Sequence, residues 1–401
     1  MTMSFPDRTS LSPLPYHHAI VDYLREHEPD VWNWASARAT GTEQREALRA
    51  ALLRDTYRIE PDAHPDVHAT LNLALERLDI DAPATLYQSP GHDMNASIFY
   101  VPGEVHILLQ GPLLERLSQA DLLAVLGHEL SHYLLWSRDE GRLLVADRIL
   151  YDSLASASAH ASHHETYRRF ALHTELFADR GAAIAAGAVG PAICALVKIQ
   201  TGIGNVDPGA YLRQAVEIEA KEEQASTAHS HPETFIRARA LSLWWEGAHD
   251  MPAWLDARLH GPLALDRLDL PGQLHLQRLT RGFIVHFLAD ADLASEALLA
   301  QVRVMFPDWT GSEAAMAPSE LTAALSPDVS GTALSTYLNA LLIDLALADP
   351  DQQDSALLRA GRLARELGTF DGFEASLRRD AAMGKRELDK YKRQLDKESQ
   401  A

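Results

Sequence analysis

The chain has 401 residues, enough for two or three domains of roughly 150 residues, and 46% are hydrophobic, so it buries at least one substantial core and is not globally disordered. Lys and Arg number 36 against 56 Asp and Glu, a formal net charge of −20, which argues against binding nucleic acid or an anionic membrane surface through the overall field. The single cysteine, Cys194, excludes an intrachain disulfide framework and a cysteine-rich zinc cluster, whereas the 19 histidines stand out.

The opening stretch, MTMSFPDRTSLSPLPYHH, has no basic segment followed by an apolar one. It does not read as a secretory signal, and a soluble, cytoplasmic protein is expected. Residues 1–62 read as a helical N-terminal segment. Apolar side chains recur at three- and four-residue spacing from about Tyr16 to Ile80, as at Ile20, Tyr23 and Leu24 and again at Val67, Leu71 and Leu75. Pro61 and Pro65 mark turns or helix starts within this stretch. From Ala84 to Gln110 the pattern changes to ATLYQ, SIFYV and EVHILLQ, runs rich in β-branched and aromatic residues between turn signals. Three short antiparallel strands are expected there.

Ser118 reads as the cap of a helix, QADLLAVLGHELSHYLLW, that is apolar almost all round and belongs inside the fold. A second long helix is expected from Glu165 to about Ala186. The most membrane-like stretch, Gly181–Val197, is mostly Ala and Gly and carries Pro191, so it reads as a buried helix joint and no integral membrane segment is expected. A helix after Pro232 runs to Trp245, and Pro252, Gly261 and Pro262 suggest a linker over 251–270. Residues 271–384 read as a helical C-terminal domain. Residues 385–401 read as a charged helical tail with a thin stripe of Leu388, Tyr391 and Leu395. The expected fold class is mainly α with a small antiparallel β-sheet.

His128-Glu129-Leu130-Ser131-His132 places two histidines four apart in the middle of the buried helix. Residues at that spacing share a helical face, so both imidazoles can point at one ion. Zinc takes nitrogen and oxygen donors in a tetrahedron, and Glu129 stands where it can take a proton from an activated water. The bland reading, a pair of satisfied core histidines, would require three separate polar partners inside an apolar helix. The third ligand sets the subclass. A metzincin pattern would need Gly at 135 and His at 138, where the chain has Leu135 and Arg138. Glu175 and Asp179 share a face of the second long helix. Glu175 can complete the site, and Asp179 can accept the other N–H of a ligating imidazole.

Three segments, HELSH, ELFADRGA and Ser230-His231-Pro232-Glu-Thr-Phe-Ile-Arg237, resemble the successive signatures of the HtpX and CAAX prenyl protease metallopeptidases, metallopeptidase family forty-eight, of the gluzincin type. The segment from Asn95 to Leu109 is similar to that family's strand pair before the active-site helix, and the likeness spans about Val67 to Leu243. The resemblance implies a gluzincin core over residues 63–250, one zinc per chain at His128, His132 and Glu175, and Glu129 as general base. It also implies transition-state assistance from His231 and electrostatic support from Arg237. Independently of the resemblance, the strand around Ile98–Val101 or Val105–Leu109, in the segment that opens with Asn95 and Ala96, can pair with an extended peptide by strand addition. The family commonly has Gly where Ser131 stands, and its members are often membrane-embedded or exported, neither of which is expected from this sequence.

These readings converge on a zinc-dependent endopeptidase acting on extended polypeptides, with its activity restrained or directed by the C-terminal helices. The rivals are a catalytically silent scaffold of the same fold and a zinc hydrolase of a non-peptide amide. His160, His163 and His164, in a Ser/Ala-rich stretch, read as a solvated loop, and Cys194 as a small core residue. The stretch LLIDLALADPDQQDSALLRAGRLARELG vaguely resembles the tellurite-resistance TerB-like helical domains. Substrate identity and oligomeric state are left open.

Overall fold

A computed structural model describes residues 11–37, 42–156, 159–221, 225–289, 293–311, 317–324 and 327–398. Residues 1–10, most of the stretch read above for targeting, and the last three residues of the tail lie outside these. The chain divides into two units, residues 1–260 and 261–401, each with its own hydrophobic core.

The first unit opens with α1 (Pro15–His27), α2 (Pro29–Ala37) and α3 (Thr42–Asp55), then β1 (Tyr57–Arg58) and α4 (Pro65–Leu78). Three strands follow, β2 (Ala84–Ser89), β3 (Asn95–Val101) and β4 (Glu104–Gln110), and then α5 (Leu113–Arg116). The sheet order is β1-β2-β4-β3. β3 and β4 form an antiparallel hairpin through Gly103, whose φ of 81° is one that glycine adopts without strain. The expectation of an antiparallel trio is corrected here, because β2 runs parallel to β4 and the sheet is mixed. The reason lies in β4, where Val105, His106, Ile107, Leu108 and Leu109 are all buried. A strand apolar on both faces takes the centre of a sheet, which leaves β3 at an edge.

The remaining helices of this unit are α6 (Gln119–Ser137), α7 (Arg142–Leu154), α8 (Ala161–Ala186), α9 (Val189–Thr201), α10 (Pro208–Glu219), α11 (Thr234–Trp245) and α12 (Met251–Leu259). Ser118 caps α6: its hydroxyl accepts from Asp121 N at 3.2 Å while the Asp121 carboxylate accepts from Ser118 N at 3.1 Å. The same carboxylate forms a buried ion pair with Lys198 at 2.8 Å, which ties α9 to the start of α6. Helices α6 and α8 pack antiparallel and very close. A Cβ on Gly127 would collide with Ala185, and one on Gly181 would overlap the Ser131 hydroxyl. Gly187, at φ 73°, ends α8 and starts the turn into α9, so the apolar 181–197 stretch is two helices and a joint.

The linker expected over 251–270 is also corrected. Residues 251–259 form α12, with Pro252 in its first turn, and Met251, Leu255 and Leu259 join the first unit's core. His163 and His164 stand in the first turn of α8, not in a loop.

The second unit comprises α13 (Leu270–Phe287), α14 (Glu296–Met305), α15 (Pro318–Ala324), α16 (Pro327–Ala346), α17 (Gln353–Glu366), α18 (Phe370–Arg379) and α19 (Lys385–Glu398). The stripe of α19, Leu388, Tyr391 and Leu395, is buried within this unit's core, and Tyr391 OH donates to Leu357 O at 2.8 Å. No helix among the described residues is long and apolar enough to cross a membrane.

Candidate metal centre and cleft

The close α6–α8 contact brings His128 and His132 from one helix against Glu175 from the other. One donor atom from each lies within 4.8 Å of the other two. His128 Nε2 is 3.3 Å from His132 Nε2 and 3.4 Å from Glu175 Oε2, and His132 Nε2 is 3.6 Å from Glu175 Oε1. A tetrahedron with donors about 2.0–2.1 Å from its centre has edges of roughly 3.3 Å, close to the separation of the two imidazole nitrogens, and the Glu175 carboxylate offers one oxygen to each of them at a similar distance. The Glu175 Oε2 atom is buried and accepts no hydrogen bond, although Arg237 Nη2 stands 3.2 Å away. The donor set and the orphaned oxygen both suit a divalent ion.

Behind the imidazoles lies a charged network. Asp179 Oδ1 is 3.2 Å from His128 Nδ1, and Arg237 grips the same carboxylate with two N–H groups at 2.8 and 2.6 Å. The bidentate geometry is the strong form of this pair. His132 differs: its Nδ1 is buried without a hydrogen-bond partner, and its ring stacks on Trp136 with centroids 5.5 Å apart.

Burial alone would lower the basicity of His128, but Asp179 and Glu175 outweigh it and hold the imidazole's pKa up to about 10. For His132, burial wins and the value falls to about 4. Glu175 is held well below the usual carboxylate range, because Arg237 and His128 overcome its burial. Burial pushes the Glu129 carboxyl up to about 7. Two anionic side chains around His128 thus call for positive charge between the donors, whether a proton or a metal ion.

The cleft around these groups takes in Glu129, His231, Arg237, Asn95 and Ala96 as well as the three donors. His231 stands at the rim, its side chain 61% exposed, with Nε2 3.5 Å from Glu175 Oε1 and Nδ1 2.8 Å from the Ser230 hydroxyl. Asn95 and Ala96 enter from the edge strand β3. His160, His163 and His164 are not among the cleft residues and form no ligand group with the centre.

Several cleft residues were not singled out from sequence. Trp136 follows His132 by four positions on the same face of α6, a spacing that could have drawn attention. Asp147 lies on α7 between the buried Leu143 and Leu150, a lone carboxylate on an apolar stripe. Tyr167 on α8 and the α9 pair Leu196 and Ile199 carry no local signal of a site.

Residues 61–244 match the family model described as peptidase family M48. The match does not reach the helices of the second unit. Neither a curated protein nor a solved structure matches the chain.

Proposed function

We propose that the chain is a zinc-dependent endopeptidase whose chemistry resides in the first unit, with one zinc held by His128, His132 and Glu175. The observation that carries this reading is the set of three donor separations, 3.3, 3.4 and 3.6 Å, beside a buried glutamate on the same helix. Zinc, when bound, supplies a Lewis acid that polarises water and a peptide carbonyl.

The chain's own groups do the rest. Glu129 takes the proton of the attacking water and passes it to the amide nitrogen that leaves. His231 donates a hydrogen bond to the carbonyl oxygen as negative charge builds there, with Ser230 at 2.8 Å steadying its ring. Asp179 faces Nδ1 of His128 and so keeps Nε2 turned to the donor cluster, and Arg237 balances the charge of Asp179 and Glu175. The open edge of β3 offers Asn95 and Ala96 to an extended peptide by strand addition, which favours unfolded segments. Residues 261–401, which fold on a core of their own, are assigned a regulatory role, restraining or directing cleavage by the first unit. Unchanged turnover in a chain ending at His260 would refute that assignment.

The decisive experiment is Glu129→Gln. The variant is expected to keep zinc and its melting temperature while peptide cleavage falls by about 10²–10⁴-fold. Wild-type rates in the variant would sink the mechanism. Full zinc occupancy with no cleavage by the wild type would favour the silent scaffold, and cleavage of small amides alone would favour the non-peptide hydrolase.

A further inference from the structure

The cleft is chemically different at its two ends. Helix α6 runs along its floor from Ala124 to Trp136, about 18 Å at 1.5 Å per residue, with the metal donors in the middle. The end near Ala124 is walled by aliphatic residues of α9, including Leu196 and Ile199. The end near Trp136 is walled by Asp147 and Tyr167. Helix α8 runs antiparallel to α6, so Tyr167, eight residues before Glu175, falls on the Trp136 side, as does Tyr100 of β3, whose ring lies 6.0 Å from that of Trp136.

Two polar groups at this end have no partner in the fold. The Asp147 carboxylate makes no hydrogen bond or ion pair among the described residues, and burial pushes its pKa up to about 6, with only Arg148, its neighbour in the chain, pulling the other way. The Trp136 Nε1 donor is buried without an acceptor. A half-buried carboxylate facing the cleft without a countercharge is partly desolvated for no return, so a group that supplies positive charge there gains from the pairing. The Trp136 and Tyr167 rings suit the alkyl stem and cationic head of a long basic side chain.

We infer that Asp147, Trp136 and Tyr167 form a specificity pocket for a lysine or arginine side chain of the substrate, within about three residues of the scissile bond on the Trp136 side. This inference rests on the peptidase reading above. Asp147 selects the substrate in this scheme and takes no part in bond cleavage.

The test uses N-acetylated peptides, so that the only cation offered is a side chain, with Lys, Arg, Gln or Glu at one position. Cleavage by zinc-loaded wild type should favour Lys and Arg over Gln by about tenfold or more in kcat/KM. Asp147→Asn should lose that preference, its kcat/KM for the Lys and Arg peptides falling to that for the Gln peptide, and Asp147→Lys should favour Glu. Binding of the same peptides to Glu129→Gln, followed by tryptophan fluorescence, should show the same ranking, lost when Asp147→Asn is added. Ranked binding without any cleavage would overturn the peptidase reading and leave the pocket standing. Cleavage or binding indifferent to the basic residue, a preference that survives in Asp147→Asn, or one that appears only with a free amino terminus would overturn the pocket.

Discussion

Ser131 and Gly181 occupy one space between two helices: the Ser131 hydroxyl, donating to Gly127 O at 2.6 Å, fills the volume that a Cβ at position 181 would need. Ser131 is fully buried, so it cannot swing away. The pair sets how near α8 comes to α6, and hence how near Glu175 comes to the two imidazoles.

Gly181→Ala should therefore force the helices apart. A loss of about 1–3 kcal/mol is expected from overpacking, together with weaker zinc binding. Ser131→Gly in the same chain should restore most of both losses. A double variant as unstable as the sum of the two singles, by calorimetry, would show that the two residues do not share this space.

Arg237 is buried against two carboxylates, Asp179 and Glu175. Arg237→Leu should destabilise the first unit by about 3–5 kcal/mol, since it strands both anions. Adding Asp179→Asn should recover part of the loss, and saturating zinc should narrow the gap further by meeting the charge of Glu175. Strictly additive losses in urea unfolding would contradict this account.

His231 is half out in solvent, so it adds little to the fold. His231→Ala should leave zinc content and melting temperature unchanged and lower kcat by a factor corresponding to about 3–4 kcal/mol. Loss of zinc in this variant would move His231 from the transition state into the metal site.

The Asp147 carboxyl has an ordinary pKa of 3.8, raised by burial to about 6 in the folded chain. The folded state thus holds this proton more tightly than the unfolded one. Its contribution to stability is intact below pH 3.8 and is lost as the pH rises through about 6. Asp147→Asn should stabilise the first unit at neutral pH by at most about 3 kcal/mol and leave it unchanged near about pH 4. An equal gain at both pH values, or a loss at neutral pH, would contradict the shift.

Much of the metal centre was legible because two four-residue spacings, 128 to 132 and 175 to 179, each put a pair of side chains on one helical face. Their meeting across α6 and α8 depends on Gly127 and Gly181, whose role appears only when the helices are packed. Strand order was not legible: period-2 alternation says which face a residue takes, not which neighbour a strand pairs with, so the parallel β2–β4 register went unseen. Tyr57–Arg58, two residues long, is too short to carry any period. Pro252 opens a helix, a role proline plays as readily as marking a boundary between domains, so the residue alone does not distinguish the two. Asp147 gives no signal in the sequence, because one acid on an apolar stripe has no spacing partner.

One oxygen, Oδ2 of Asp121, accepts from Ser118 N, from Ser118 Oγ and from Lys198 Nζ. Besides their shared apolar core, the aliphatic bank of the groove and the first turn of its floor meet at that atom. Prising the bank outward and fraying the floor both break bonds to this oxygen, so each makes the other easier.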